Sequence, residues 1–196
     1  MNPRFRRLTM DLKQIRDQLT GHRHVTVVPV GAEPPETYLV TYEVRGVALD
    51  GTGAQPVFVE HHVVRIELGA GYPREKPRFL MQTPIFHPNF DSQVGQPVCI
   101  GDYWTPAQPL VDLILKVGDM IQYREYNVAA PLNGDAARWV RHSESQGIFP
   151  VGDVALWEPE VELALTATSS GPTPTPFSLA PPPPAPWPPP VPHEAS

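Results

Sequence analysis

The sequence predicts an α+β domain: an N-terminal helix, a four-stranded antiparallel meander, an irregular segment holding the only cysteine, and two C-terminal helices. Three observations carry this reading. Apolar residues recur every three or four positions at the start of the chain and again after residue 109. Valine-rich alternating runs separated by short turns lie between residues 24 and 82. The 25 residues that follow show little periodicity at all. The chain has 196 residues and 27 prolines, 12 of them between Gly171 and Ser196. A body of about 145 to 170 residues remains, enough for one domain with a proper core.

The first helix can be capped by Asn2, with Pro3 in its first turn. Phe5, Leu8, Leu12, Ile15 and Leu19 form its apolar stripe, and Gly21 stops it. The opposite face is basic, with Arg4, Arg6, Arg7, Lys13 and Arg16 against Asp11 and Asp17. Strands are expected over His24 to Val30, Tyr38 to Val44, Val57 to Leu68 and Arg78 to Gln82, with a turn at Asp50-Gly51-Thr52-Gly53. Short connections between consecutive strands favour an antiparallel meander over a parallel sheet.

From Thr83 to Ala107 the chain holds four prolines, His87 and Cys99, but also Ile85, Phe86, Phe90, Val98, Ile100, Tyr103 and Trp104. So many apolar side chains argue against disorder, and a long structured loop inside a domain is usually functional. A second helix is expected over about Pro109 to Tyr123, with Leu110, Leu113, Ile114, Val117 and Ile121 on one face. A third starts near Asn133 and carries Ala136, Ala137 and Val140, ending before Gly147 and Pro150. Val161, Leu163 and Leu165 alternate as in a short strand. The domain is thus expected over residues 1–145, an acidic extension over 146–170, and a disordered proline-rich tail over 171–196, with polyproline II runs at Pro181–Pro184 and Pro188–Pro190.

Charge narrows the function. Up to Ser143 there are 15 basic and 15 acidic residues, so the whole net charge of −6 lies beyond it. A neutral body with an acidic C-terminal region is a poor match to nucleic acid. No run approaches the roughly 18 apolar residues of a membrane span, and the arginines near the start precede no signal-like apolar stretch. One cysteine excludes a disulfide framework and a multi-thiolate zinc site, and suits a reducing, cytoplasmic setting. His61 and His62 must point to opposite faces of a strand, and His22 and His24 lack a third ligand, so no metal site is expected.

Cys99 lies in the irregular segment, ten residues after the turn His87-Pro88-Asn89. A loop thiol with an amide nearby suits acyl transfer, the thiol carrying the acyl group and N–H donors facing an oxyanion. A cysteine hydrolase would need a base beside the thiol, and His87 is the one candidate.

Five motifs in order make the sequence resemble a ubiquitin-conjugating enzyme over roughly residues 2 to 143. They are Tyr72-Pro73 through Pro77, His87-Pro88-Asn89, Val98-Cys99-Ile100, Trp104-Thr105-Pro106-Ala107, and Asn127 through Pro131-Leu132-Asn133. The resemblance implies the UBC fold and a cysteine-dependent acyltransferase with no metal or small cofactor. An activating enzyme, which spends the ATP, hands a ubiquitin-like protein to Cys99 as a thioester; the acyl group then passes to a lysine of a target protein. Within that resemblance Asn89 stabilises the oxyanion or braces the loop. His87, Pro88, Asn127 and Trp104 support the site. Arg4, Arg6 and Arg7 match the surface that meets the activating enzyme, and Tyr72, Pro73, Thr105 and Pro106 match loops that contact ligases. A non-catalytic UBC-fold module that binds ubiquitin-like proteins is the alternative.

The sequence also departs from the family. The stretch from Asn89 to Cys99 is long and that from Cys99 to Trp104 is short. Ala130 stands where an acid is common, leaving Asp102 or Glu125 to replace it. Arg74 stands where ligase-binding members carry an aromatic, the last long helix is missing, and arginine outnumbers lysine twelve to three. Such divergence fits a bacterial conjugation system.

Overall fold

The computed structural model describes residues 2–101 and 103–157. Helix α1 spans Pro3–Leu19, strands β1 to β4 span Val25–Val30, Thr37–Leu49, Pro56–Glu67 and Arg78–Met81, and helices α2 and α3 span Leu110–Ile121 and Gly134–Ser143. A single 3-10 turn, Glu144–Gln146, follows and closes on Gly147 in the left-handed conformation. The strands pair antiparallel in the order β1-β2-β3-β4. No described helix is long and apolar enough to cross a membrane.

Helix α1 starts as its sequence dictates: the Asn2 side chain accepts the Arg4 backbone N–H at 2.9 Å, and Pro3 occupies the first turn. Leu8, Leu12, Ile15 and Leu19 are buried, but Phe5 is 45% exposed, so the stripe begins one turn later than its periodicity suggested. Strand β2 alternates as expected, with Tyr38, Val40, Tyr42 and Val44 inward. The Tyr42 hydroxyl donates to the Ile114 carbonyl at 2.8 Å, fixing α2 on the sheet.

Strand β2 also runs five residues beyond the expected Val44, because a bulge between Glu43 and Gly46 lets pairing resume from Gly46 opposite Val59. Gly46 is needed there. A Cβ on it would lie 2.7 Å from the His62 ring, which is itself fully buried. The β2–β3 turn is held by Asp50, whose Oδ1 accepts from the backbone of Thr52, Ala54 and Gln55 and from the Thr52 hydroxyl.

Helix α2 is buried on nearly every side. Two residues past its end stands Tyr123, an aromatic residue at φ 59° in the sparsely populated left-handed region. The ring is locked there among His87, Trp139 and Phe149, and its hydroxyl donates to the Phe86 carbonyl.

Residues 151–157 form a strap along α2, an arrangement the sequence reading did not contain. The buried Gln122 organises it. Its carbonyl accepts from Val151 and Gly152 N–H, and its side chain pairs with both backbone groups of Val154 at 2.9 and 3.0 Å. Leu156 is buried against Gly118, and Trp157 donates its ring N–H to Asp119. No long helix follows α3 among the described residues. The expected strand around Val161 and the proline-rich tail lie outside the described residues.

Candidate active site

The irregular segment is ordered by hydrogen bonds to distant partners. Phe86 N–H donates to the Val47 carbonyl at 2.7 Å, tying the segment's start to β2. His87 follows, fully buried, with Phe90 and Tyr123 rings 5.0 and 4.3 Å away. Its Nδ1 accepts the Asn89 backbone N–H at 3.1 Å, so the ring proton sits on Nε2. Nε2 has no hydrogen bond of normal geometry, although the Glu125 backbone lies close enough to favour its proton. Burial pushes the pKa of His87 down to about 3. The residue is a neutral brace for the turn, and the cysteine-hydrolase reading loses its base.

Pro88 presents its carbonyl to the N–H groups of Leu132 and Asn133 at 2.8 and 3.2 Å. Asn133 in turn caps α3, accepting from Asp135 and Ala136 N–H. Asn89 is the centre of the arrangement. Its carbonyl accepts the Cys99 N–H at 2.9 Å, its Nδ2 donates to the Cys99 carbonyl at 3.3 Å, and its Oδ1 accepts the Asn127 N–H at 2.8 Å. Asn127 Oδ1 then accepts from Ala129 and Ala130, closing the loop before α3.

Cys99 is a free, half-buried thiol. Val98 and Ile100 on either side of it are buried, whereas Cys99 itself keeps part of its surface open to solvent. The extra length between Asn89 and Cys99 forms a hairpin seated on β4. Phe90 bridges to Val98, Gly95 N–H donates to the Met81 carbonyl, and Val98 N–H donates to the Phe79 carbonyl.

The structure therefore brings together Cys99, Asn89, Asn127, His87 and Pro88. Trp104 supports the site from further off, donating its ring N–H to the Pro73 carbonyl at 2.9 Å and packing near Tyr72. Ala130 is exposed and supplies no carboxylate. Glu125 is ion-paired with Lys116 at 3.5 Å, and Asp102 lies outside the described residues.

Two expectations need correction. Arg7 is not on an open basic face. It is 8% exposed, gripping both Asp11 oxygens at 2.9 Å and donating to the carbonyls of Pro106 and Gln108. Tyr72 is 2% exposed, and its hydroxyl donates to Asp11 Oδ2 at 2.6 Å, so it anchors its turn from inside. Asp11 thus joins α1 to the Tyr72 and Thr105-Pro106 turns. Burial pushes its carboxyl upward, against the opposing pull of Tyr72 and Arg7. The sequence did hold a signal. Asp11 stands three residues after Leu8 and four before Ile15, inside the apolar stripe, with Arg7 four residues earlier. Arg4 is also committed, to Glu36 and to the carbonyls of Leu68 and Gly69. Arg6 is exposed, as are Pro106 and Arg74; Thr105 and Pro73 are partly exposed.

Comparison with known proteins bears on the fold. The family model described as ubiquitin-conjugating enzyme matches residues 51–147, from the β2–β3 turn through α3. A crystal structure of a Plasmodium yoelii protein provisionally assigned as a ubiquitin conjugating enzyme superposes with a TM-score of 0.53 at 18% identity. The match covers 74% of this chain and 88% of that one. The E2 domain of a Toxoplasma gondii ubiquitin conjugating enzyme matches with a TM-score of 0.49 at 21% identity, over 70% of this chain and 88% of its own. No curated protein sequence matches closely enough to count as a relative. The protein has the UBC fold.

Proposed function

We propose that this protein is a ubiquitin-conjugating-type enzyme that carries a ubiquitin-like protein as a thioester on Cys99 and passes it to a lysine of a target. The observation that supports this best is the seating of Cys99. Its backbone is clamped from both sides by Asn89, while the residue stays partly exposed between two buried neighbours. In the charging step the Cys99 thiolate attacks the acyl carbon held by an activating enzyme. One C–S bond forms, another breaks, and the donor thiol leaves. In the discharge step a neutral amine attacks the thioester. The C–N bond forms, the amine loses a proton, and Cys99 leaves as thiolate. The Asn89 side chain holds the Cys99 loop for the intervening oxyanion and has a second N–H to offer it.

Arg6 is the arginine of the original three best placed for an activating enzyme, with Arg4 beside it. The exposed rim of Pro73, Thr105 and Pro106 suits a ligase. The test is incubation with activating enzyme, ATP and ubiquitin-like protein, followed by electrophoresis with and without reductant. A reductant-sensitive adduct lost in Cys99→Ala is expected. Its absence would favour the alternative, a UBC-fold module that binds without catalysing.

A further inference from the structure

A cavity of about 300 Å³ lies between α1 and β1. That is the small end of the range for ligand pockets, roughly 300–1,000 Å³. Leu12, Ile15 and Leu19 of α1 form one wall, and Val25, Val27 and Pro29 of β1 form the other. Those three β1 residues alternate along the strand and so share a face, giving an apolar wall about 13 Å long. β1 stands at the edge of the sheet, so no further described strand closes the cavity on that side. None of the lining residues belongs to the site around Cys99.

Two polar groups interrupt this lining. Tyr38 of β2 is fully buried, and among the described residues its hydroxyl has no hydrogen-bond partner. A buried donor left unpaired is costly, so the hydroxyl marks a place for an acceptor. Arg16 lines the same cavity. Its guanidinium meets Glu33 at 3.0 Å, but both side chains are more than half exposed, so that pair is weak and exchangeable. Burial first, then the Asp11 carboxylate, push the pKa of Tyr38 up, while the Arg16 charge pulls it down, so Arg16 is within electrostatic reach of the hydroxyl. Asp11 would repel an anion, but Arg7 matches its charge.

We propose that this cavity binds a medium-chain aliphatic carboxylate, with the alkyl chain between α1 and β1 and the carboxylate accepting from the Tyr38 hydroxyl and pairing with Arg16. A plain hydrocarbon would leave the hydroxyl unpaired. A protonated aliphatic amine would meet Arg16 as a like charge and offer Tyr38 no acceptor.

The experiment titrates octanoate into the full chain at neutral pH, read by calorimetry and by thermal unfolding, with octylamine as the control. Octanoate should bind saturably, one per chain, and raise Tm as its concentration rises. Tyr38→Phe removes only the hydroxyl and Arg16→Gln only the charge, and each should weaken octanoate ~10-fold. Without octanoate, Tyr38→Phe should unfold no earlier than the wild type, because it loses a donor that has no partner. Absence of saturable binding, an affinity unchanged in both variants, or octylamine bound as tightly as octanoate overturns the proposal. A Tyr38→Phe protein clearly less stable than the wild type would mean that the hydroxyl is already paired, and overturns it as well.

Discussion

Asn89→Asp separates the two jobs of the Asn89 side chain. Aspartate keeps an oxygen where Oδ1 accepts the Asn127 N–H at 2.8 Å, so the loop before α3 retains its tie. It loses the Nδ2 donor that reaches the Cys99 carbonyl at 3.3 Å, and sets a charge beside it. Asn89→Ala loses both bonds. An intramolecular hydrogen bond contributes about 0.5–1.5 kcal/mol net, and the bond to Asn127 is exposed, so the alanine variant should lose ~1–2 kcal/mol of stability and the aspartate variant less. Discharge should behave differently. Both variants lack an amide donor near the forming oxyanion, and such a donor is worth roughly 10²- to 10³-fold in the step that uses it. The new carboxylate repels the oxyanion and pushes the same way.

The assays are urea unfolding and single-turnover discharge of pre-charged protein to free lysine, followed without reductant. Both variants should charge, and both should discharge slowly despite their different stabilities. An Asn89→Asp protein that discharged at the wild-type rate would refute the argument. The amide would then serve only to hold the loop, and a backbone N–H would have to meet the oxyanion.

Two further predictions concern the scaffold. Asp11→Asn leaves the Arg7 guanidinium buried without its counter-charge, and breaking a buried pair typically costs about 3–5 kcal/mol. A loss under about 1 kcal/mol in urea unfolding would mean that the Arg7–Asp11–Tyr72 network does not hold the two turns. His62 gives a pH dependence: burial lowers its pKa to about 4, so the folded state keeps it neutral while the unfolded chain protonates near 6.5. Its contribution is present above about pH 6.5 and is lost as pH falls toward 4, amounting to ~2 kcal/mol between pH 8 and 5. Against His62→Gln, unfolded in urea at both pH values, the wild type should lose that much more; an equal change in the two proteins would exclude His62 as the source.

The helix boundaries and the meander were legible because each depends on local periodicity. Leu8, Leu12, Ile15 and Leu19 are spaced for one helix face, and Tyr38 to Val44 alternate for one sheet face. The UBC fold was legible because five motifs kept their order. What was hidden depends on contacts distant in sequence. Arg7 and Asp11 look like solvated charges until the Tyr72 hydroxyl and the Pro106 carbonyl arrive from 61 and 99 residues away. The strap was hidden for the same reason. Residues 151–157 have no pattern of their own and take their conformation from Gln122. Gly118 leaves room for Leu156: a Cβ on it would lie 2.3 Å from the leucine side chain.

The same principle explains how a site can be rigid without regular structure. The backbone from Phe86 to Cys99 has little repeating pattern, yet its polar groups are matched one by one to other motifs. Val47 takes Phe86, Leu132 and Asn133 take Pro88, and Asn89 holds Cys99 and Asn127. These bonds link residues 47, 86–89, 99, 127 and 132–133 into one unit, so no single motif can move without breaking a bond in another. The buried His87 ring at its centre is neutral and cannot compete for a proton. Its value lies in fixing the turn that carries Asn89. That division, a buried neutral imidazole behind a bonded amide, fits the acyl carrier proposed above better than a hydrolase, which would need the histidine as its base.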